Sequence, residues 1–379
     1  NSIPHSLTHS LTHALTHSLT HALTIIFMSI FFLSFLLTLL LVKLIYPLAL
    51  SVDLVDNPGK RKYHVGAVPL IGGVSIFISL VLSFWALDIS FVEHAPLLIS
   101  LSIIVFIGVL DDFFQLSYKV RFLFQVLIAY IMVYYAGVEL SNIGDLLSFG
   151  ALELGGFGFI FTTFAVIGCI NAFNMMDGID GLSASLAIIA LLGFFFIPNE
   201  GEPLALYQLM VLLVGSLSAF LYFNLCAKNK IFLGDAGSML IGLVVAWFAI
   251  YFSQEGVNKT IQPVTALWLV AIPLMDTVSI MIRRIMKGES PFKPDREHLH
   301  HIFLRAGYSD RQALVIIVCT SIILAGIGIL FNIFTVPEWI VFSSFLVIFG
   351  AYFQLLHHSW VFMKWLKIIH KPSDNSSKK

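Results

Sequence analysis

Long apolar runs fill most of the chain, and short polar segments separate them. A helix that crosses the hydrocarbon core of a bilayer needs about 20 apolar residues, and short or tilted helices within a bundle need fewer. Eleven runs fit this pattern, and the fourth, fifth and eighth are the short ones. The sequence therefore predicts an all-α polytopic membrane protein with about eleven transmembrane helices. The runs are 25–46, 69–87, 95–110, 121–136, 157–170, 182–197, 204–226, 238–252, 261–282, 313–333 and 336–356.

The composition agrees with a membrane protein. Hydrophobic residues make up 58% of the chain and charged residues 11%, against about 25% charged in soluble domains. The formal net charge of -1 offers no basic field for nucleic acid, so the lipid bilayer is the expected partner and nucleic acid is not. The three cysteines lie far apart, each in or beside an apolar run, and indicate neither a disulfide framework nor a zinc site.

Positive charges mark one side of the predicted bundle. Lys and Arg concentrate in the connections after odd-numbered runs and in the C-terminal tail, although the connection at 171–181 has none. The connections after even-numbered runs contain only Lys259. Because cytoplasmic loops carry an excess of Lys and Arg, we expect the N-terminus outside and the C-terminus in the cytoplasm.

The N-terminus carries a repeat that differs from the rest of the chain. A His-x-Leu-Thr unit occurs five times over 5–24, and Met28 stands just inside the first apolar run. Four-residue spacing places histidines along one side of a helix, which allows metal binding. We instead expect 1–27 to be low-complexity sequence upstream of the true start. A single transmembrane domain over 28–371 and a disordered cytoplasmic tail over 372–379 complete the expected organisation.

Adjacent carboxylates follow the third apolar run at Asp111 and Asp112. Two neighbouring carboxylates favour a shared proton or a shared cation. The alternative is a solvated helix end, but acidic side chains at a helix C-terminus oppose the helix dipole. We therefore predict that this pair is a functional site that holds a shared proton or a shared cation.

Polar residues recur at three-residue spacing after the fifth run, at Asn171, Asn174, Asp177 and Asp180. On a helical turn they would share roughly one side and form a binding surface. The alternative is a cap and turn.

Asp235 stands between two glycines just before the eighth run. It could hold a cation that bridges to phosphate at a helix N-terminus, or it could simply cap that helix.

The last large loop on the same side contains Arg296, His298, His300 and His301. His and Arg donate hydrogen bonds to phosphate oxygens, so we predict a phosphate-binding loop rather than a zinc site or a plain solvated basic loop. Asp276 lies inside the ninth run, seven residues before Arg283. An ion pair between these two and a catalytic role for Asp276 are equally compatible with that spacing.

Oxygen ligands without sulfur favour a hard cation, Mg²⁺ or alternatively Mn²⁺. Mg²⁺ held by a few carboxylates and by substrate phosphates is the usual arrangement for phosphoryl transfer. Such a site at the membrane edge indicates a soluble phosphorylated donor and a lipid acceptor. The rival from another class is a transporter, whose polar residues would lie near the bilayer midplane rather than at one face.

With these motifs the chain resembles the polyprenyl-phosphate N-acetylhexosamine-1-phosphate transferases, most closely the bacterial members that use undecaprenyl phosphate and N-acetylglucosamine. The resemblance extends from Met28 to about Lys371. The residues that carry it are Asn57–His64, Pro69–Gly73, Asp111–Asp112, Asn171–Gly181, Phe232–Ser238 and Ser290–His301.

The resemblance implies transfer of N-acetylglucosamine-1-phosphate from UDP-N-acetylglucosamine to undecaprenyl phosphate, with release of UMP, as the first lipid-linked step of a surface polysaccharide. It also implies the bacterial inner membrane, an active site on the cytoplasmic side and eleven helices. Another UDP-N-acetylhexosamine donor, a covalent two-step mechanism and a homodimer stay open.

The resemblance also implies roles for single residues. Asn174 and Asp235 would hold Mg²⁺ with the donor diphosphate. Asp111, Asp112 and Asp177 would be the catalytic set, in which Asp111 or Asp112 would act as base toward the lipid phosphate or as a metal ligand. In the substrate-binding set, Asp180 and Phe232 would face the uracil and Arg121 would contact phosphate. Arg296, His298, His300 and His301 would close over the sugar-phosphate, and Asn171 completes this set. Close relatives often have a third acid after the Asp pair, where this chain has Gln115. A metal ligand at that position is therefore in doubt.

Overall fold

The computed structural model describes residues 5–56, 66–197, 204–254, 261–290, 298–358, 362–364 and 366, with the backbone alone for 5–20. Nearly all of this is helix, which confirms the all-α prediction. The longer helices are α1 His5–Ser51, α2 Gly72–Ala86, α3 Ala95–Phe114, α4 Tyr118–Ala136, α5 Gly158–Met176, α6 Leu182–Phe196, α7 Leu204–Leu225, α8 Gly234–Ser253, α10 Ala271–Met286, α12 Asp310–Ile333 and α13 Glu338–His357. The short elements are α9 Pro263–Leu269, α11 Leu299–Ala306, a 3-10 turn at Gly155–Phe157, and strands β1 Val55–Asp56 and β2 Val68–Pro69.

Every predicted apolar run falls on a helix or on a pair of helices. Within the described ranges, eight helices are long and apolar enough to cross a membrane, and α9 with α10 makes up to a ninth. This confirms a polytopic membrane protein. Helices α2 and α6 have 15 residues each, so their crossing stays a prediction. The fourth, fifth and eighth runs, predicted to be short, form helices of 19, 19 and 20 residues.

The ninth run was predicted as one span, and the structure breaks it. Helices α9 and α10 meet at an angle of 87°. Val270 between them has a non-helical conformation, with φ -111° and ψ 23°. Pro273 lies in the first turn of α10, where its missing N–H is tolerated because those groups have no partner within the helix. The hydropathy pattern did not reveal the break, because apolar residues continue on both sides of Val270.

Helix α8 lies at the centre of the bundle. It packs against α2, α3, α5 and α6, and it is buried on almost every side. Small residues allow neighbouring helices to approach closely. A Cβ atom on Gly73 of α2 would lie 2.1 Å from the backbone nitrogen of Gly237, and one on Gly108 of α3 would lie 2.2 Å from Cα of Ala236. The first turn of α8 is therefore fixed between α2 and α3.

The segment before α2 is extended rather than helical, although the run 69–87 was predicted as a span from its first residue. Leu70 pairs with Phe232 in a parallel bridge. The N–H of Phe232 donates to the carbonyl of Pro69 at 2.9 Å, and the N–H of Gly72 donates to the carbonyl of Phe232 at 3.0 Å. Because of these bonds, the Pro69–Gly73 motif lies directly against the segment that leads into Asp235.

Candidate active site

The end of α5 supplies two of the predicted site residues. The fifth run was predicted to end at residue 170, but the helix continues to Met176 and Asp177 follows it as the C-cap. Asn171 and Asn174 therefore lie in the last turns of a helix, not in a loop. Asn171, Asn174 and Asp177 therefore lie on one side of the end of α5. Asp180 lies beyond this helix, in the turn before α6.

Asn174 and Asp235 are in direct contact. Nδ2 of Asn174 donates to Oδ1 of Asp235 at 2.6 Å and to Oγ of Ser238 at 2.9 Å. These bonds use the amide nitrogen, so the amide oxygen is the atom that could face a cation. The two residues predicted to share a metal ion come together from sequence positions 61 residues apart.

Asp112 in α3 caps the N-terminus of α8. Its carboxylate accepts hydrogen bonds from the backbone N–H of Asp235 at 2.8 Å and of Ala236 at 3.3 Å. Those N–H groups have no partner within their own helix, and a negative charge is favourable there. The unfavourable position of Asp112 at the end of α3 is thereby offset. Gly234 makes room, because a Cβ there would lie 2.7 Å from Oδ2 of Asp112.

Asp111 points to different partners. It is buried, and Arg121 of α4 donates to its Oδ2 at 2.8 Å. The carboxylates of Asp111 and Asp235 also lie close enough to interact through a hydrogen bond. Two carboxylates in such contact need either a proton or a cation between them. Asp111, Asp112 and Asp235 therefore meet at one end of the bundle, as the sequence predicted.

Asp177 adds a further acid to the same region. Burial raises the pKa of Asp177 well above its usual range, and the negative charges of Asp235, Asp112 and Asp180 raise it further. Electrostatic repulsion of this kind requires the four carboxylates to be near one another. The region therefore attracts protons or cations.

The donor set fits a hard divalent cation. Carboxylate oxygens and one amide oxygen are the ligands that Mg²⁺ prefers, and Mg²⁺ is usually bound through one or two carboxylates together with substrate phosphates. Within the part of the chain that the structure describes, no group of three or more His, Cys, Asp or Glu forms a metal cage by itself. The residues thus match a cation that substrate phosphates help to bind, rather than a preformed all-protein site.

Gln115, where the resemblance put a metal ligand in doubt, ends α3. It has a left-handed conformation with φ 50°, and its N–H donates to the carbonyl of Asp111 at 2.8 Å. The residue thus serves as the C-cap of α3.

Asn171 lies away from the acids and contacts α4. Its Nδ2 donates to Oε1 of the buried Gln125 at 3.0 Å and to the carbonyl of Ile167 at 2.7 Å. These bonds fix α5 against α4, which also carries Arg121. The structure therefore gives Asn171 a contact that positions helices, and its predicted contact with substrate stays a prediction.

Asp180 and Phe232 lie together around a lysine. Nζ of Lys230 is 2.5 Å from Oδ2 of Asp180 and 4.9 Å from the centre of the Phe232 ring. A cation over an aromatic face is attracted by the ring. Asp180 and Phe232, predicted to share a ligand, are thus brought to one place by Lys230.

The three histidines form a cluster at the start of α11. The ring centres of His300 and His301 are 4.2 Å apart, and those of His298 and His300 are 5.7 Å apart. Burial lowers the pKa of His300 to about 3, helped by the neighbouring His301 and His298, so this imidazole is neutral near neutral pH. Arg296, predicted to act with the histidines, lies outside the described residues.

His300 connects this cluster to the acids. A Cβ on Gly178 would lie 2.2 Å from Nε2 of His300. The glycine that follows Asp177 therefore allows α11 to lie against the loop that begins with Asp177. Without that close approach, the histidines and the carboxylates would be separate groups.

Asp276 was considered either as the partner of Arg283 in an ion pair or as a catalytic residue, and its catalytic role stays a prediction. Its three hydrogen bonds in the described structure come from other elements, namely from His298, Leu299 and Tyr352. The seven-residue spacing therefore does not identify its partners. Tertiary contacts determine them, and sequence periodicity contains no information on such contacts.

Several site residues were not predicted from the sequence. Lys230 stood next to a recognised motif and beside a predicted positive loop, so its position was a usable signal. Gln125 and Tyr352 lie inside apolar runs, where a lone polar residue is the only sign. Ser238 was part of a quoted motif, but nothing in the sequence paired it with Asn174.

An apolar cavity of about 450 Å³ lies between α5, α8, α9 and α10. Ala172 and Phe173 of α5 line it near Asn174, and Leu140 and Ile143 line it toward the other end of the bundle. The bend at Val270 contributes to its shape, because α9 and α10 both face it. The cavity offers an apolar chain a place within the helix bundle, and its lining approaches the acidic end of the bundle only at Ala172 and Phe173.

Comparison with a family model matches the part of the chain that contains the acidic residues. The family described as Glycosyl transferase family 4 matches residues 94–253. That segment includes Asp111, Asp112, Asn174, Asp177 and Asp235, so the matched part contains the whole acidic cluster.

The similarity to curated proteins extends over most of the chain. An undecaprenyl-phosphate alpha-N-acetylglucosaminyl 1-phosphate transferase of Salmonella typhi is 39% identical over 330 residues, which is 86% of this chain and 89% of the relative. The proteins with the same name from Escherichia coli K12 and Haemophilus influenzae are each 39% identical, over 86% and 85% of this chain and 89% and 91% of their own lengths. The chain belongs to this family of polyprenyl-phosphate sugar-1-phosphate transferases.

Proposed function

We propose that the chain transfers N-acetylglucosamine-1-phosphate from UDP-N-acetylglucosamine to undecaprenyl phosphate and releases UMP. The observation that carries the proposal is the meeting of Asp111, Asp112, Asn174, Asp177 and Asp235 at one end of the bundle. The names of the relatives supply the sugar and the lipid. The reaction would be the first lipid-linked step of a surface polysaccharide.

The proposed reaction is a direct displacement. A phosphate oxygen of the lipid attacks the β-phosphorus of the donor, and the bond from this phosphorus to the bridging oxygen breaks as UMP leaves. A carboxylate with a raised pKa is suited to accept a proton near neutral pH. Asp177 has that property and would take a proton from the lipid phosphate. Bringing both substrates to one place supplies much of the rate through proximity.

Mg²⁺, or Mn²⁺, is the proposed cofactor. Asp235 and the amide oxygen of Asn174 would hold it, with Asp111 close to Asp235. The cation, when bound, would neutralise charge on the donor diphosphate. Arg121, held in place by Asp111, would donate to a phosphate oxygen. Asp112 keeps the first N–H groups of α8 in place beside the diphosphate.

The other predicted residues would bind the two ends of the donor. Asp180, Phe232 and Lys230 would surround the uracil, since an aromatic face and a carboxylate suit a planar base with N–H groups. His298, His300 and His301, with Arg296, would close over the sugar phosphate. The prenyl chain of the acceptor would lie in the apolar cavity between α5, α8, α9 and α10.

We further propose that the protein lies in the bacterial inner membrane with its N-terminus outside and its active site in the cytoplasm. The distribution of Lys and Arg along the sequence supports this orientation. The gathering of the acidic residues at one end of the helices also supports it. A transporter would instead need polar residues near the midplane.

The test is an assay of purified protein in detergent with undecaprenyl phosphate and a panel of UDP-sugars. We expect UMP release only when lipid phosphate and UDP-N-acetylglucosamine are both present, and loss of release with EDTA that Mg²⁺ restores. UMP release with a different UDP-N-acetylhexosamine, and none with UDP-N-acetylglucosamine, would overturn the sugar assignment. Absence of UMP with every donor would overturn the enzyme proposal, and exchange of label between UMP and donor without lipid would favour a covalent mechanism.

A further inference from the structure

A buried carboxylate outside the acidic cluster, Asp276, lies where three helices meet. It is fully buried in α10. Nδ1 of His298 lies 2.6 Å from Oδ2, while the N–H of Leu299 and the hydroxyl of Tyr352 donate to Oδ1 at 3.0 and 2.8 Å. A buried charge is tolerated only when it is paired and hydrogen-bonded. All three partners belong to the α11 region or to α13, so the carboxylate joins these two elements to α10.

The contact with Asp276 sets the orientation of the His298 ring. An ionised carboxylate only accepts hydrogen bonds, so Nδ1 of His298 carries the proton. Nε2 on the opposite side of the ring is then the nitrogen that can contact a substrate. A ring held in this way keeps one tautomer and one direction.

Asp276 also determines where α11 begins. Leu299 is the first residue of α11, and the first N–H groups of a helix have no partner within it. The carboxylate satisfies one of them, and a negative charge at this end is favourable. Helix α11 then lies with His300 against Gly178, next to Asp177. A displacement of Asp276 would therefore move both the histidines and the loop that begins with Asp177.

We propose that Asp276, supported by Tyr352, is a positioning residue of the active site: it directs Nε2 of His298 toward the donor and holds α11 against the loop after Asp177. This inference rests on the proposed function, since it assumes that the histidines bind the donor. It assigns no substrate contact to Asp276 itself. It also gives α13, the last long helix of the chain, a part in catalysis through Tyr352.

The first test uses Asp276→Asn, which keeps the size of the side chain, removes its charge and leaves one acceptor oxygen where the carboxylate offered two to His298, Leu299 and Tyr352. We expect kcat to fall by about 10- to 100-fold, the size usual for partners that orient a functional side chain, while the KM for the donor changes little. Tyr352→Phe removes one of two donors to Oδ1, and we expect a smaller fall of about 5-fold. Ser279→Ala is the matched control, because Ser279 is buried in the same helix and its hydroxyl makes no hydrogen bond within the described structure. Its activity should be unchanged.

A double-mutant cycle separates positioning from general damage. If Asp276 acts through His298, Asp276→Asn should cause little further loss of kcat in a His298→Gln background. Losses that multiply would show that Asp276 does not act through His298 and would overturn the proposal. Near-normal kcat for Asp276→Asn alone would overturn it as well.

Hydrogen exchange of the α11 amides tests the same idea without substrate. We expect residues 299–306 to exchange faster in Asp276→Asn than in the wild type or Ser279→Ala. Equal exchange rates in Asp276→Asn and the wild type would contradict the claim that Asp276 keeps α11 in place. Because this measurement needs no turnover, it decides the structural part of the proposal even if no UDP-sugar is used and the proposed function fails.

Discussion

The carboxylate of Asp112 accepts a hydrogen bond from the backbone N–H of Asp235 at 2.8 Å, so the end of α3 caps the start of α8. This one contact brings together two motifs 123 residues apart. It also orients the first turn of α8 so that the side chain of Asp235 meets Asn174. The candidate metal ligands are therefore fixed by backbone hydrogen bonds as well as by side chains.

Asp235→Asn should abolish most of the activity while leaving insertion into the membrane intact. The amide can still accept from Asn174, but it cannot supply the charge that a cation requires. We expect UMP release to fall by at least about 100-fold at saturating Mg²⁺. Glu153→Gln, which changes an exposed acid, is the control and should keep full activity. Near-normal turnover of purified Asp235→Asn would make the metal assignment wrong.

Gly234→Ala should lower kcat more than the same substitution at another glycine with a left-handed conformation. Gly234 has φ +74°, and the added Cβ would lie 2.7 Å from Oδ2 of Asp112. Gly137 has φ +66° with nothing within 4 Å of a Cβ, so Gly137→Ala measures the backbone strain alone, about 1–2 kcal/mol. We expect both variants to lower the melting temperature and only Gly234→Ala to lose about 10-fold or more in kcat. Equal activities would show that the cap by Asp112 does not matter for turnover.

Lys230→Gln should weaken donor binding with little effect on stability. The pair with Asp180 is partly exposed, and such pairs contribute little to folding. If Lys230, Asp180 and Phe232 surround the uracil, the KM for the UDP-sugar should rise by about 10-fold with a small change in kcat. The neighbouring exposed Lys228, changed to Gln, controls for the loss of positive charge. An unchanged KM would place the nucleotide elsewhere.

His300 should make the protein less stable in mild acid. Its pKa is lowered from 6.5 to about 3, so protons bind the unfolded chain more readily than the folded one. Its contribution to stability is present above pH 6.5 and decreases as the pH falls toward 3, by about 1.4 kcal/mol per pH unit. Melting temperatures between pH 7 and pH 5 should therefore fall more steeply for the wild type than for His300→Gln. The exposed His357, changed to Gln, should keep the wild-type slope, and equal slopes for His300→Gln and the wild type would contradict this account.

The sequence predicted the helices well because a helix that spans a membrane needs a long run of apolar residues, and such runs are visible in the sequence. It also predicted which polar residues would meet, since Asp111, Asp112, Asn174, Asp177 and Asp235 lie at the edges of apolar runs. It could not give helix ends, because polar residues such as Asn171 continue a helix when buried partners such as Gln125 satisfy them. The bend at Val270 and the partners of Asp276 depend on tertiary contacts that no periodicity contains.

The burial of α8 determines how the protein should respond to a change in bilayer thickness. Over its apolar window 89% of α8 is buried, against 22% for α1 and for α13. Lipid therefore touches the outer helices and hardly reaches the one that carries Asp235. A change in bilayer thickness is accommodated by tilt of lipid-facing segments. Nanodiscs with shorter or longer acyl chains should therefore alter the tilt of the outer helices, while the spacing between Asp112 and Asp235 stays constant.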